Sequence, residues 1–385
     1  MGWPLIFALA TVALALAVYR SDALWCGGRA LPLATFWRVP GFSYEQMPAL
    51  HGKVVLVTGA NTGLGLEVAS QCARAGATVL LGCRDEGRCA KAAQHIAQST
   101  GVPPSQVKPV RLDLNDLSQV DLAADVLLRT LDALHILINN AGIATQFPQP
   151  ALSVDGIETT FQSNYLGHFH LTTKLLPLLE RTAMNTGQRA RVVHLSSGAH
   201  RAAPSAGVPL SLEGINDESI GPMTRYGMAK LASLILSNEL ARRHPNTILS
   251  NAVHPGVVAT SMLRQENFRA MLGPIAGPVA WRAAKLRNML VAYSTSTAAL
   301  TVLFCACALR LEDGAGKSGA FFVPIATEWA PRHPKATDSD FGIRFWEFSH
   351  KLVNQSLNVD LAEAPMVGVI RSGAKARQRP SRSGS

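Results

Sequence analysis

The segment Thr58-Gly59-Ala60-Asn61-Thr62-Gly63-Leu64-Gly65 decides the fold, because a strand pattern precedes it and a helix pattern follows it. Lys53 to Val57 is an apolar run rich in β-branched residues, typical of a strand buried on both faces. Leu64 to Ala75 has helical periodicity closed by Gly76, and Thr78 to Leu81 is a second apolar run. This order predicts an α/β protein with a single Rossmann-type, doubly wound parallel sheet and helices on both faces.

The glycine turn predicts a dinucleotide site. A side chain at Gly59 or Gly63 would keep the backbone away from a pyrophosphate, and Gly65 lets the helix pack close to the strand. Free amides at the start of the helix attract phosphates. A purely structural turn is the alternative. We assign cofactor contacts to six residues of the turn: Gly59, Asn61, Thr62, Gly63, Leu64 and Gly65.

The end of the second apolar run indicates which dinucleotide binds. An acid there would hydrogen-bond a ribose 2′-hydroxyl, whereas an arginine accommodates a 2′-phosphate. The chain has Cys83-Arg84, and a guanidinium binds phosphate oxygens in a bidentate manner. We therefore expect NADP(H), with NAD(H) as the alternative. The competing interpretation is that Arg84 is a solvated cation next to Asp85.

Tyr226 and Lys230 predict acid–base chemistry. They are four residues apart in a helical pattern that continues to about Arg242, so their side chains share one helix face. Lowering the pKa of a tyrosine from about 10 to about 7 requires roughly 4 kcal/mol. An ammonium about 4 Å away supplies roughly that energy at an effective dielectric constant near 20. We therefore expect Lys230 to lower the pKa of Tyr226, and an oxidised nicotinamide ring would add to this effect.

Further motifs surround this pair. Asn139-Asn140-Ala141-Gly142, Phe161-Gln162-Ser163-Asn164-Tyr165 and a strand pattern ending in Ser196-Ser197 precede it, and His254-Pro255-Gly256-Val257 follows it. In this order the motifs resemble the short-chain dehydrogenase/reductase superfamily, over about Lys53 to Val323. Cys83-Arg84, Asn164 to Phe169, Ser196-Ser197 before Ala199-His200, and an apolar amino terminus are most similar to the retinol-dehydrogenase-like branch.

The resemblance implies four catalytic residues. Tyr226 would be the general acid/base, and Lys230 would hold the nicotinamide ribose. Ser197, rather than Ser196, would hydrogen-bond the substrate oxygen. Asn164 would anchor a water that relays protons to Lys230. The long interval between Ser197 and Tyr226 is typical of the same branch, and Ala202 to Ile220 has the composition of a loop insertion.

The resemblance also implies further cofactor contacts. Asp113 and Leu114, after a third strand pattern, would contact the adenine. Asn140 would line the cofactor cleft, and Val257 and Thr260 would contact the nicotinamide.

The amino-terminal segment differs from the rest of the chain in being uncharged and mostly apolar. Trp3 to Tyr19 contains no charged residue and would span roughly 26 Å as a helix, near the lower limit for crossing a bilayer. We expect an apolar membrane-anchor helix; a signal peptide and a core or surface helix are the alternatives. Arginines follow the run, which favours a catalytic domain facing the cytoplasm, at the endoplasmic reticulum or a similar membrane.

The chain of 385 residues is long enough for one such domain with extensions. We expect an anchor over 1–20, a linker over 21–50, an NADP(H)-binding domain over 51–330, a C-terminal extension over 331–370 and a basic disordered tail over 371–385. The formal net charge is +10, and the tail is either solvated or attracted to anionic lipid. The sequence leaves a homodimer open, and we expect no nucleic-acid partner.

The cysteines and histidines predict neither a metal site nor a disulfide framework. Six cysteines have no zinc-type spacing, and the eleven histidines do not cluster. We interpret Cys305-Ala306-Cys307 as apolar packing on a helix.

Met262 to Tyr293 mixes apolar and basic residues, and we expect a substrate lid there; a packed helical pair is the alternative. The sequence thus predicts an NADP(H)-dependent oxidoreductase that interconverts a lipophilic carbonyl (retinoid, sterol or other lipid) and its alcohol. A non-catalytic cofactor-binding scaffold is the alternative from another class, and light-driven reduction of a tetrapyrrole is a second enzymatic one.

Overall fold

The computed structural model describes residues 41–143, 150–258, 269, 273–274, 277–279, 281–282, 285, 292–311, 317–331 and 333–363. They form one eight-stranded sheet in the order β3-β2-β1-β4-β5-β6-β7-β8, parallel except for β8, which pairs antiparallel with β7. The strands are β1 (Val54–Thr58), β2 (Thr78–Cys83), β3 (Val107–Arg111), β4 (Ile136–Asn139), β5 (Ala190–Leu195), β6 (Ile248–Val253), β7 (Phe321–Val323) and β8 (Thr327–Glu328).

Helices connect these strands, and one segment, Gln162–Leu166, is a π-helical turn directly before the helix that begins at Gly167. The helices are α1 (Gly63–Arg74), α2 (Glu86–Thr100), α3 (Leu117–Thr130), α4 (Thr159–Phe161), α5 (Gly167–Thr186), α6 (Leu212–Asn216), α7 (Pro222–Arg243), α8 (Thr295–Cys307) and α9 (Ser339–Glu363).

Both faces of the sheet are covered, as the doubly wound prediction requires. Leu56 and Leu137 belong to a core cluster on one face, whereas Val55 and Ile138 belong to a cluster on the other. Alternation along a strand produces this division, because successive side chains point to opposite faces. The predicted Rossmann-type sheet is therefore confirmed.

The strand order places the functional crevice. Strand β1 pairs with β2 on one side and with β4 on the other. The chain continues from β1 to β2 but from β4 to β5, so the connections that leave β1 and β4 run in opposite directions. In open α/β sheets, ligands bind beyond the carboxyl ends of the strands at such a switch point. We therefore expect the site beyond Thr58 and Asn139.

The packed domain extends beyond the predicted boundaries at both ends. Phe42 and Leu50, in the predicted linker, are buried in the core. Phe345 and Trp346 of α9, in the predicted extension, are buried against α5, where Trp346 packs edge-on to Phe169. Apolar periodicity in these segments drives them onto the sheet domain rather than leaving them as connectors.

The cysteine prediction is wrong at one position. Cys83 ends β2, Cys89 lies on α2, and the two form a disulfide with their Cα atoms 5.8 Å apart. The tight turn between β2 and α2 brings the first helical turn back over the end of the strand, which residue spacing alone does not indicate. Cys72, Cys305 and Cys307 are buried in the core, so the packing role of the last two is confirmed.

Three predictions fall largely or wholly outside the residues that the structure describes: the anchor helix over 1–20, the lid over Met262 to Tyr293 and the tail over 371–385. Within the described ranges, no helix is long and apolar enough to cross a bilayer.

Candidate active site

The glycine turn between β1 and α1 has the conformation that its sequence predicts. Gly59 and Gly63 have φ angles of +64° and +57°, which side-chain-bearing residues rarely adopt. A Cβ on Gly65 would lie 2.4 Å from the side-chain nitrogen of Asn140 and 2.5 Å from the carbonyl oxygen of Gly59. Gly65 is therefore required for the close approach of helix and strand.

Asn140 braces this turn from the end of β4. Its side-chain Nδ2 donates a hydrogen bond to the carbonyl oxygen of Thr58 at 2.8 Å. The backbone amides of Asn140 and Ala141 both donate to the hydroxyl of Thr58 at 2.9 Å. The predicted cleft residue is thus placed beside the turn, with its side chain engaged in holding β1 and β4 together.

Arg84 directly follows β2 and is exposed. The neighbouring Asp85 is the N-cap of α2: its carboxylate accepts a hydrogen bond from the Arg88 amide at 2.9 Å and pairs with the Arg88 side chain. An acid engaged in this way supports the interpretation that Arg84, rather than Asp85, faces the cofactor.

Of the remaining predicted cofactor residues, three follow the carboxyl ends of strands and one lies outside the residues that the structure describes. Asp113 and Leu114 follow β3, and the Asp113 carboxylate accepts from the Asn115 amide at 3.0 Å. Val257 follows β6, and its carbonyl oxygen accepts from the amide of Tyr293 at 2.8 Å. Thr260 lies outside the described residues.

Tyr226 and Lys230 share one face of α7. The Lys230 Nζ lies 5.5 Å from the centre of the tyrosine ring and donates a hydrogen bond to the Leu195 carbonyl oxygen at 2.8 Å. Lys230 is buried and Tyr226 is half-buried. The helix therefore presents a phenol and an ammonium side by side at the carboxyl end of β5.

Burial controls the ionisation of this pair, which corrects an expectation from the sequence. Burial raises the pKa of Tyr226 to about 12, although a hydrogen bond from Ser197 lowers that pKa in part. Burial also lowers the pKa of Lys230 to about 8. The protein alone therefore keeps the phenol protonated at neutral pH, because desolvation outweighs the hydrogen bond from Ser197.

The two serines after β5 have different roles. Ser196 is buried, and its hydroxyl donates to the backbone carbonyl of Lys230 at 2.7 Å. The Ser197 side chain hydrogen-bonds Tyr226 and accepts from the Ala199 amide at 3.2 Å. The structure thus brings Ser197, the predicted substrate-binding serine, to the phenol.

Asn164 lies in the π-helical turn, a type of distortion that is frequent at functional sites. Its side-chain Oδ1 accepts from the Ile143 amide at 2.7 Å, and its Nδ2 donates to the Ile143 carbonyl at 3.0 Å. A Cβ on Gly142 would lie 3.3 Å from the Asn164 Oδ1 and 3.6 Å from the Lys230 Nζ. Tyr226, Lys230, Ser197 and Asn164 are therefore brought together.

Comparisons with known proteins agree with this geometry. A family model described as short chain dehydrogenase matches residues 53–210. Retinol dehydrogenase 14 of Mus musculus is 33% identical over 357 residues, which are 90% of this chain and 98% of that protein. This chain belongs to the short-chain dehydrogenase/reductase family. Retinol dehydrogenase 12 of Mus musculus is 36% identical over 303 residues, 78% of this chain and 86% of that protein, and the chain is retinol-dehydrogenase-like within the family.

Solved structures support the same assignment. One from Mycobacterium paratuberculosis is 29% identical, with a TM-score of 0.59 and coverage of 82% of this chain and 98% of that chain. The RhlG/NADP active-site complex of Pseudomonas aeruginosa is 27% identical, with a TM-score of 0.52 and coverage of 71% and 95%.

Two polar residues of this short-chain dehydrogenase/reductase site were not assigned from the sequence. The sequence places Thr58 only at the start of the glycine turn, and His168 only within the motif from Asn164 to Phe169. The Thr58 hydroxyl lies 2.8 Å from His168 Nε2, and both residues are buried. The four-residue spacing of Asn164 and His168 could have indicated that His168 lies one helical turn from a predicted catalytic residue.

Proposed function

We propose that this protein is an NADP(H)-dependent oxidoreductase that interconverts a lipophilic aldehyde or ketone and its alcohol. One observation carries the proposal: Tyr226 is hydrogen-bonded by Ser197 and adjacent to Lys230, beyond the carboxyl end of β5. A phenol and a hydroxyl on one side of a crevice are the groups that a carbonyl oxygen needs as partners.

The residues at the switch point fit a dinucleotide. The turn at Gly59, Gly63 and Gly65 leads into α1, whose N-cap residue Thr62 makes no side-chain hydrogen bond to the first amides, so these amides would attract a pyrophosphate. Arg84 is exposed at the position that meets the adenosine ribose in such folds, and Asp85 is engaged in capping α2. These features support NADP(H) over NAD(H).

The bound nicotinamide would supply or accept the hydride, and the chain's own residues would manage the proton. Tyr226, with its pKa raised to about 12, holds a proton at neutral pH that it can donate to the substrate oxygen. Ser197 would donate a second hydrogen bond to that oxygen. Lys230, with its pKa near 8, is largely charged at neutral pH and would hold the ribose hydroxyls. A protonated phenol suits carbonyl reduction as the favoured direction.

A lipophilic substrate is supported by two observations. The similar proteins include retinol dehydrogenases 12 and 14. Met223, on α7 one turn before Tyr226, is 54% exposed, and Leu212 at the start of α6 is 38% exposed, so α7 and the helix before it both carry exposed apolar side chains. We rank retinoids first, then sterols and other lipid carbonyls. The apolar run from Trp3 to Tyr19 supports a membrane anchor, with the catalytic domain facing the cytoplasm.

Initial rates with detergent-purified full-length protein test the proposal. The panel would contain retinal, a steroid ketone and a long-chain aldehyde, with a short water-soluble aldehyde as control, each assayed with NADPH and with NADH. We expect NADPH-driven reduction of a lipophilic member to be fastest. Preference for NADH would contradict the cofactor assignment, and NADPH binding without turnover of any member would favour the scaffold.

A further inference from the structure

His168 connects two parts of the site that are far apart in sequence. It is 3% exposed and lies at the start of α5, behind the carboxyl ends of β1 and β4. Its Nε2 lies 2.8 Å from the hydroxyl oxygen of Thr58, and its Nδ1 lies 3.2 Å from the backbone carbonyl oxygen of Asn164. Both ring nitrogens therefore have a protein partner.

The direction of each hydrogen bond follows from the chemistry of the partners. Burial lowers the pKa of His168 to about 3, so the ring is neutral and carries one N–H. The Asn164 carbonyl can only accept, so Nδ1 carries the hydrogen and donates it. Nε2 then accepts from the Thr58 hydroxyl, which makes His168 the acceptor that orients this hydroxyl.

Orientation of the Thr58 hydroxyl determines how the strand ends are held. When its hydrogen points to His168, its lone pairs face the amides of Asn140 and Ala141, each 2.9 Å away. A hydroxyl has one hydrogen and two acceptor positions, so these three partners satisfy it fully. The glycine turn that follows Thr58 is thereby fixed against the end of β4.

The other ring nitrogen holds the segment that carries Asn164. This residue is in the π-helical turn, and its side chain contacts Ile143, next to Gly142 and close to the Lys230 Nζ. The bond from His168 to the Asn164 carbonyl ties the backbone of this turn to the same imidazole that orients Thr58.

We propose that His168 is a positioning residue that fixes the position of the glycine turn relative to Asn164. The cofactor held by the turn is thereby aligned with the proton relay that includes Asn164. The inference rests on the proposed function for its catalytic half only. The part of the inference that concerns NADPH binding depends only on the position of the glycine turn. Buried hydrogen-bond networks in which every polar group has a partner fix the positions of the segments they join.

Two variants of His168, each of which keeps the hydrogen-bonding group of one ring nitrogen, separate the functions of the two nitrogens. His168→Asn keeps a donor near the Nδ1 position, and His168→Gln keeps an acceptor near the Nε2 position, whereas His168→Leu removes both. We expect His168→Leu to weaken NADPH binding about 10-fold and lower kcat about 10- to 100-fold, the range for losing one or two buried hydrogen bonds. His168→Gln should recover most of the NADPH affinity, and His168→Asn should recover most of kcat at saturating NADPH.

His135→Leu is the matched control. His135 also has a strongly lowered pKa and accepts a backbone hydrogen bond, from the Val54 amide at 3.0 Å, but it lies at the opposite end of the sheet. We expect it to reduce thermal stability without changing the NADPH dissociation constant or kcat. If the losses of NADPH affinity and of kcat scale with the loss of thermal stability in the same way in all four variants, the role of His168 is merely structural and the proposal is overturned.

Thr58 tests the same contact if His168→Leu does not fold. Thr58→Val removes the hydroxyl and should weaken NADPH binding about 10-fold, whereas Thr58→Ser retains it and should change binding less than about 2-fold. Equal affinities in the two variants would overturn the proposal. If wild type turns over no carbonyl, the proposed function fails, and the NADPH dissociation constants of these variants still decide the cofactor half.

Discussion

The two ends of the parallel sheet contain similar buried and half-buried polar residues but use them differently. At the amino end, His135 accepts from the Val54 amide, Lys53 donates to Gln188, and Arg191 donates to the Ala308 carbonyl at 3.0 Å. His135 and Arg191 thereby satisfy backbone groups where a strand begins and a helix ends, whereas Lys53 contacts another exposed side chain.

At the carboxyl end, polar side chains contact one another as well as the backbone. Thr58 contacts His168, Ser197 contacts Tyr226, and Lys230 lies near Asn164. The lesson is that burial of polar groups does not itself mark a site; convergence of several such groups on a switch-point crevice does. For lysine, glycine and arginine, a change at the carboxyl end therefore has a matched change at the amino end.

The largest difference is expected for lysine. Lys230→Met removes the charge beside Tyr226 and should lower kcat/KM at least about 1000-fold, because cofactor binding and proton transfer both lose a partner. Lys53→Met removes an exposed hydrogen bond to Gln188 and should leave kcat/KM within about 2-fold. Steady-state kinetics of both variants check this. Similar losses in the two would break the distinction between the ends.

Glycines give the next comparison. Gly65→Ala places a Cβ against the Gly59 backbone, which cannot move away without opening the turn, so NADPH binding should fall about 100-fold or more. Gly76→Ala, at φ +99° against the His51 ring, should cost about 1–3 kcal/mol of unfolding free energy and leave NADPH affinity unchanged. Fluorescence titration and urea unfolding measure the two quantities. Normal NADPH affinity in Gly65→Ala would be inconsistent with a cofactor site at this turn.

Arginines test the cofactor preference. Arg84→Ala should weaken NADPH binding about 10- to 100-fold, the range for losing a bidentate charge-assisted contact, and leave NADH binding unchanged. Arg189→Ala removes a cation at the amino end, where it faces the Leu311 carbonyl, and should affect neither dinucleotide. Equal loss of NADH and NADPH affinity in Arg84→Ala would show that the residue does not select the 2′-phosphate.

The pH profile should show a smaller effect. Under the proposed function, carbonyl reduction requires charged Lys230, whose pKa is lowered to about 8, and protonated Tyr226, whose pKa is raised to about 12. The rate should therefore be level near neutrality and fall about 10-fold per pH unit well above pH 8. Lys230→Arg should move this decline to higher pH in whatever activity it retains. A decline that stays near pH 8 in that variant would assign it to another group.

The stability of the fold at acid pH depends on buried histidines at both ends of the sheet. The pKa values of His168 and His194 are lowered by burial to about 3, and that of His135 to about 4. Below the unfolded pKa near 6.5, the unfolded chain binds protons that the folded protein does not, so stability falls with pH until each folded pKa is reached. Each group contributes at most about 1.4 kcal/mol per pH unit. Urea midpoints between pH 7 and 4 should decline accordingly; a flat series would show that these rings are protonated in the native state.

The sequence predicted what depends on local pattern. The strand at Val54–Thr58, the glycine turn and the helix face shared by Tyr226 and Lys230 all follow from short-range periodicity and conformational preference. The choice of Ser197 over Ser196 stays a prediction; the structure shows that the Ser196 hydroxyl donates to the Lys230 carbonyl and that Ser197 hydrogen-bonds Tyr226.

The sequence could not predict what depends on distant contacts. The pairing of His168 with Thr58 joins residues 110 positions apart, and the disulfide depends on how a turn folds back. The high pKa of Tyr226 also depends on burial by the whole fold, which neighbouring residues do not specify.

Paired measurements on Tyr226→Phe test the central claim most directly. NADPH affinity is measured by fluorescence, and oxidation of NADPH by a lipophilic carbonyl is followed in single turnover. The account predicts an NADPH dissociation constant within about 2-fold of wild type and a single-turnover rate at least about 1000-fold lower, because only the transferable proton is removed. A single-turnover rate close to that of wild type would contradict it.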